Sequence, residues 1–274
     1  MNFWEKINNL DRRIVYLIIG LTVLIPLLFN IILEVEPTKP VQDIYDKIDS
    51  LEKDDVVLVS FDYAASSLPE LQPMGEALIQ HLFEKDIKVV AMALWPVGVQ
   101  LSDNIFDVKS KEYNKEYGVD YVHLGYKTGG MVVIDSMGSG IEDAFPTDKN
   151  GNKLNELKLM RNVNKLDDFA LAISLSAGDP GLRHFVMVAH DRYGVPVAGG
   201  CTAVSAPQFF AYYSSGQMLG LMGGLRGAAE YESIIEKLGT GSAGMAAQNY
   251  AHIMIIIFII VGNISMVVLK RKKK

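Results

Sequence analysis

The chain has 274 residues, 49% of them hydrophobic, with one cysteine and a formal net charge of −6. A lone cysteine excludes an intramolecular disulfide, and the acidic balance argues against a nucleic-acid partner. Length alone allows one large domain or two small ones.

The first element predicted is a membrane span. Residues 14–33 form an uncharged run of twenty, the length a helix needs to cross ~30 Å of hydrocarbon. It is too long for the apolar region of a signal peptide, and EVEPTKP after it offers no small-x-small cleavage pattern. A second apolar run, 250–269, closes the chain, with Tyr250 and His252 at interface positions. Lys6, Arg12 and Arg13 precede the first run, and the basic tail 270–274 follows the second. The positive-inside rule therefore places segment 1–13 and the tail on the cytoplasmic side, in a cell membrane, with 34–237 outside. The tail also lies where it meets anionic lipid. Between the spans stand 18 basic against 30 acidic residues. Of the polar residues within the spans, Thr22 matches Asn263 in depth better than Asn30 does, and could pair with it within or between chains.

The outer segment alternates strands with helices. Strands are predicted at 56–61, 88–95, 121–126, 169–178 and 196–200, with helices at 74–85, 106–117 and 180–193 between them. Near-continuous apolar strands separated by helices indicate a three-layer α/β fold with a mostly parallel sheet, doubly wound or related. Tyr-Gly-Val at 117–119 and at 193–195 reads each time as a glycine-capped helix end leading into a strand. Residues 145–156 form a surface excursion with a turn at Asn150-Gly151, and 238–249 read as a flexible neck.

In such sheets ligands collect beyond the carboxyl ends of the strands. That edge gathers the ligand-binding candidates Asp62, Tyr63, Trp95, Tyr126, Asp179, Thr202 and Ser205. Asp179 before Pro180 also fits a helix N-cap, and Ser205 with Gln208 fits a capping box. No P-loop, H-E-x-x-H or G-x-S-x-G occurs, and no G-x-G-x-x-G follows the first strand. His184 and His190 stand six apart, on different helix faces, and His81 reads as a surface residue, so neither a metal nor a cofactor is expected. Cys201 lies in the apolar stretch AGGCTAV, which raises its pKa and leaves it inert. Ser66 or Ser67 with Lys127 is the one catalytic pairing available, of the serine–lysine type.

Residues 216–232, GQMLGLMGGLRGAAEYE, are predicted as part of one helix over 217–237. Gly216, Gly220, Gly223, Gly224 and Gly227 would share a face that invites close backbone approach, within the domain or between subunits. The stretch 202–232, with the two apolar runs around it, resembles an uncharacterised prokaryotic family of small membrane proteins, a domain of unknown function. That resemblance implies no activity and no catalytic residue.

These observations lead to an expectation. It is a membrane-anchored α/β domain acting as a non-catalytic assembly, scaffold or ligand-binding protein, a homo-oligomer joined through the glycine-rich segment. A membrane-tethered serine hydrolase is the alternative.

Overall fold

The computed structural model describes residues 4, 6, 10–29, 31, 32 and 34–272. It divides into two units, one of residues 34–241 and one formed by the two ends. Asn30 and the last two lysines of the basic tail lie outside the described residues.

The unit of residues 34–241 is built on a six-stranded, wholly parallel sheet. Its strands are β1 (Val56–Asp62), β2 (Lys88–Ala93), β3 (Tyr121–Tyr126), β4 (Leu171–Ser176), β5 (Val197–Cys201) and β6 (Gly220–Gly223). Their spatial order is β3-β2-β1-β4-β5-β6, so the direction of winding reverses between β1 and β4. The five expected strands are present, and β6 is additional. β1 is buried along its whole length, which is why its sequence, VVLVSFD, does not alternate.

Helices cover both faces, as the double winding requires. One layer holds α1 (Lys39–Asp49), α2 (Leu68–Glu84), α3 (Pro96–Glu112) and, after β6, α8 (Gly224–Ile234). The other holds α4 (Met131–Ser139), α5 (Ile141–Ala144), α6 (Leu182–Phe185) and α7 (Ala206–Ser214). A proline stands in the first turn of α1, α2, α3 and α7, where the missing N–H costs no hydrogen bond. Two separate apolar clusters fill the space above and below the sheet.

The glycine connectors behave differently from one another. Gly194 has φ +72°, and Val195 N–H bonds Ala189 O at 2.9 Å, the expected left-handed cap. At the other site α3 stops at Glu112, and Asn114 at φ 53° makes the reversal instead. Gly118 serves the turn into β3, its N–H bonding Tyr121 O.

The predicted helix 217–237 is corrected. Its first half is the strand β6, and α8 begins only at Gly224. The flexible neck is corrected too. The N–H groups of Gly239 and Gly241 each donate to Glu232 carboxylate oxygens, at 2.9 and 2.8 Å, and a 33-residue helix, α9 (Thr240–Lys272), starts there.

Within α9, Thr240–Lys270 is long and apolar enough to cross a membrane, and it is the one such helix among the described residues. The N-terminal run is helical over Arg12–Leu28, 17 residues with Pro26 near the end. Thr22 hydrogen-bonds Ile18 O of its own helix at 2.7 Å, so its hydroxyl is spent locally rather than on Asn263. Ser265 Oγ donates to Trp4 O at 2.9 Å within this unit.

Candidate functional site at the carboxyl edge of the sheet

The reversal between β1 and β4 is where an α/β sheet opens a crevice for ligands. Ser60 and Asp62 on β1 pair in register with Ser174 and Ser176 on β4. Their spacing of two puts all four side chains on one face, and all are buried. A buried polar file of this kind must find its own partners.

Asp62 finds three. Its Oδ1 accepts from Leu94 N at 2.7 Å and Ser60 Oγ at 2.8 Å, and its Oδ2 accepts from Ser174 Oγ at 3.1 Å. Complete burial pushes its pKa up to about 7, against the opposing pull of these hydrogen bonds. Ser176 Oγ donates to Gly178 O at 2.7 Å, tying the loop after β4 to its own strand.

The crevice is roofed. Trp95, just after β2, reaches across the end of β1 and donates its indole N–H to Pro180 O at 2.7 Å. The first turn of α3 lies on β1 so closely that a Cβ on Gly98 would stand 1.8 Å from Phe61 O. From the β3 side, Gly130 (φ +53°) packs against Pro180 and the imidazole of His184. His184 Nδ1 and Arg183 Nε are buried there without a hydrogen-bond partner. The protein's own loops thus lie over the carboxyl end of β1.

The remaining candidates are dispersed. Tyr63 is buried and donates to Gln72 Oε1 at 2.9 Å. Tyr126 is exposed at the end of β3. Asp179 does not cap a helix, because α6 starts after Gly181; its carboxylate lies 3.8 Å from Arg183 in an exposed pair. Ser205 makes no cap hydrogen bond and accepts instead from Thr202 Oγ1 at 3.1 Å, so the capping box is corrected. Ser66 and Ser67 follow β1 whereas Lys127 follows β3, with β2 between them. Two strand spacings, about 10 Å, separate the two strand ends, and no hydrogen bond joins these side chains among the described residues. Cys201 is buried, and desolvation pushes its thiol up to about 12.

Sequence reasoning passed over two buried histidines. His81 is corrected from surface to core: its Nδ1 meets Tyr231 Oη at 2.8 Å, and burial lowers its pKa to about 4. His123 Nε2 lies 2.8 Å from Ser102 Oγ, a serine–histidine contact of the kind that drives acyl transfer. The hydrogen bonds argue otherwise. Gly125 N–H donates to His123 Nδ1 at 2.9 Å, so the proton sits on Nε2 and is donated to the serine. Ser102 passes its own proton to Gly98 O at 2.8 Å, and both residues are buried. This histidine cannot act as a base toward that serine. An alternation pattern in a strand carries no signal for such a pair, since it is made with the neighbouring helix.

The glycines of the rich segment meet atoms of their own chain. A Cβ on Gly220 would lie 2.4 Å from Ile44 and 2.5 Å from Pro40 O, on Gly224 2.6 Å from Ala203, and on Gly227 2.8 Å from Met222. Gly223 faces Ala206 at 3.0 Å. Gly216 has open space around it and a φ of +82°, which marks a turn.

Family models, curated proteins and solved structures give no match to this chain. No cluster of three His, Cys, Asp or Glu side chains placed for a metal occurs among the described residues. A cleft of about 400 Å³ lies away from the crevice, between Gly140, Asp143, Met160 and Lys165.

Proposed function

We propose that this is a membrane-anchored α/β domain whose work is binding and assembly rather than catalysis. One observation carries the reading: the crevice at the β1/β4 reversal is closed by the Trp95–Pro180 hydrogen bond, and Asp62 beneath it spends both oxygens inside the fold. The hydroxyl-bearing pair that most resembles a nucleophile and base, Ser102 with His123, is buried in the wrong protonation pattern.

In this reading both terminal runs cross the membrane as a hairpin and the domain faces outward. The basic residues flanking both runs support the orientation, and the Ser265–Trp4 contact supports the pairing of the two ends.

Two measurements test the proposal on the full chain in detergent. Light scattering is expected to give a protein mass well above 30.2 kDa. A fluorophosphonate probe is expected to leave the chain unlabelled. Labelling that disappears in Ser66→Ala or Ser67→Ala would restore the serine hydrolase and overturn the assignment.

A further inference from the structure

The two ends of the sheet differ in charge. Loops at the amino end carry EKDD (52–55), EKDIK (84–88), KEYNKE (111–116) and HDR (190–192). Of the segments that leave the carboxyl end, 63–69, 94–102, 128–134 and 202–215 (which includes α7) contain no charged residue, whereas the one after β4 holds Asp179 and Arg183. The charges bordering that end are few and of both signs, Lys127, Arg183 and Arg226 against Glu70 and Asp179.

The same end exposes apolar side chains. Val204 after β5 is 90% exposed and Val132 at the start of α4 is 70% exposed. Tyr126, Val97 and Leu68 stand between 36% and 43%. In the spatial order of the strands these fall beyond the neighbouring β3, β2 and β1 on one side and β5 on the other, with the Asp179–Arg183 pair beyond β4 between them.

We propose that this carboxyl edge is where two copies of the chain meet. The inference rests on the assembly reading above and names its surface and its partner. Charge selects the partner. The segment between the apolar runs holds 18 basic against 30 acidic residues, so two copies repel through most of their surface. They approach without that cost only where charge is absent. Area is adequate: six strands ~4.8 Å apart, with a helix layer on each side, make an edge of roughly 25 by 30 Å. That is close to the ~800 Å² per partner that stable dimers bury. Anchoring in one membrane raises the effective concentration of copies further.

The test uses the full chain in detergent or nanodiscs, with Val132→Asp and Val204→Asp introduced singly and together. Both side chains are exposed, so thermal stability is expected to stay unchanged while self-association weakens by ~100-fold or more. Val204→Cys is expected to cross-link copies through a short bis-maleimide, whereas Lys53→Cys at the opposite edge is not. An oligomer that survives the double substitution and links through Lys53→Cys would overturn the surface but leave assembly standing. A parent chain that is monomeric at all concentrations would overturn both.

Discussion

The indole N–H of Trp95 donates to the carbonyl of Pro180 at 2.7 Å, joining the loops after β2 and β4 over the end of the strand between them. Because the bond spans two loops, its loss is felt by the edge as a whole. Trp95→Phe keeps most of the apolar contact and removes the donor, which is expected to cost about 1 kcal/mol. Trp95→Ala also leaves a cavity and is expected to cost about 3–5 kcal/mol. Urea unfolding of the two variants, with equal m-values, measures the difference.

Asp62 makes stability depend on pH with a definite sign. Its folded pKa of about 7 lies above the ordinary 3.8, so the folded state holds the proton more tightly. Its contribution is therefore full below about pH 4 and falls away as the pH rises towards 7. His81 and His123 act oppositely, since burial lowers their folded pKa values to about 4 and about 3. They cost stability as the pH drops below 6.5. Asp62→Asn isolates the first effect, because an amide can still accept from Leu94 N and donate to Ser174 Oγ. Unfolding free energy relative to the parent is expected to rise between pH 4 and 7 and level off above, by at most about 4 kcal/mol. A difference independent of pH would contradict the assignment.

Two glycine-to-alanine substitutions separate close approach from backbone conformation. Gly98→Ala puts a methyl 1.8 Å from Phe61 O and is expected to cost at least ~2 kcal/mol, since α3 must lift off β1. Gly194→Ala meets nothing within 4 Å and pays only for its φ of +72°, about 1 kcal/mol. Chemical denaturation of both variants gives the ranking, and equal losses would refute the packing account.

Gly220→Ala tests the correction to the glycine segment. Its methyl would crowd Ile44 and Pro40 O of the same chain, so the substitution is expected to lower the stability of the folded domain by ~1–3 kcal/mol. Light scattering together with a melting curve distinguishes this from an interface effect. A variant of parental stability that dissociates would return the contact to a second copy.

Cys201 reports on opening of the sheet. Buried, with its thiol pushed up to about 12, it is expected to resist maleimide in the native protein and react only as the domain unfolds. Rapid labelling without denaturant would show that β5 is accessible.

Much of this architecture was legible from the pattern of residues. The five longest strands announce themselves as apolar runs because both faces of the sheet are covered, and Asp62 and Trp95 fall at strand ends where the fold places its crevice. What escaped did so for identifiable reasons. β6 is four residues long and half glycine, so it has neither a β-branched run nor a period, and the apolar residues around it read as helical. The closure of the crevice depends on a tryptophan reaching past an intervening strand, which requires the strand order. His81 lies on a helix whose two faces are both buried, so its polarity pointed outward while its neighbours α8 and α1 enclose it. The helix cap at Asn114 was masked by the more conspicuous glycine four residues later.

The lateral borders of the sheet are protected in different ways. Along β3, Lys149 N–H donates to His123 O at 2.9 Å, and Lys149 itself packs at Gly125. Along β6, the strand is short and buried, with Pro40 and Ile44 of α1 against Gly220. The β3 border therefore presents no free row of amides and carbonyls, and the β6 border is only four residues long, a poor template on which to lay down another strand. At high concentration, such domains are protected from running together into fibrils through their sheets.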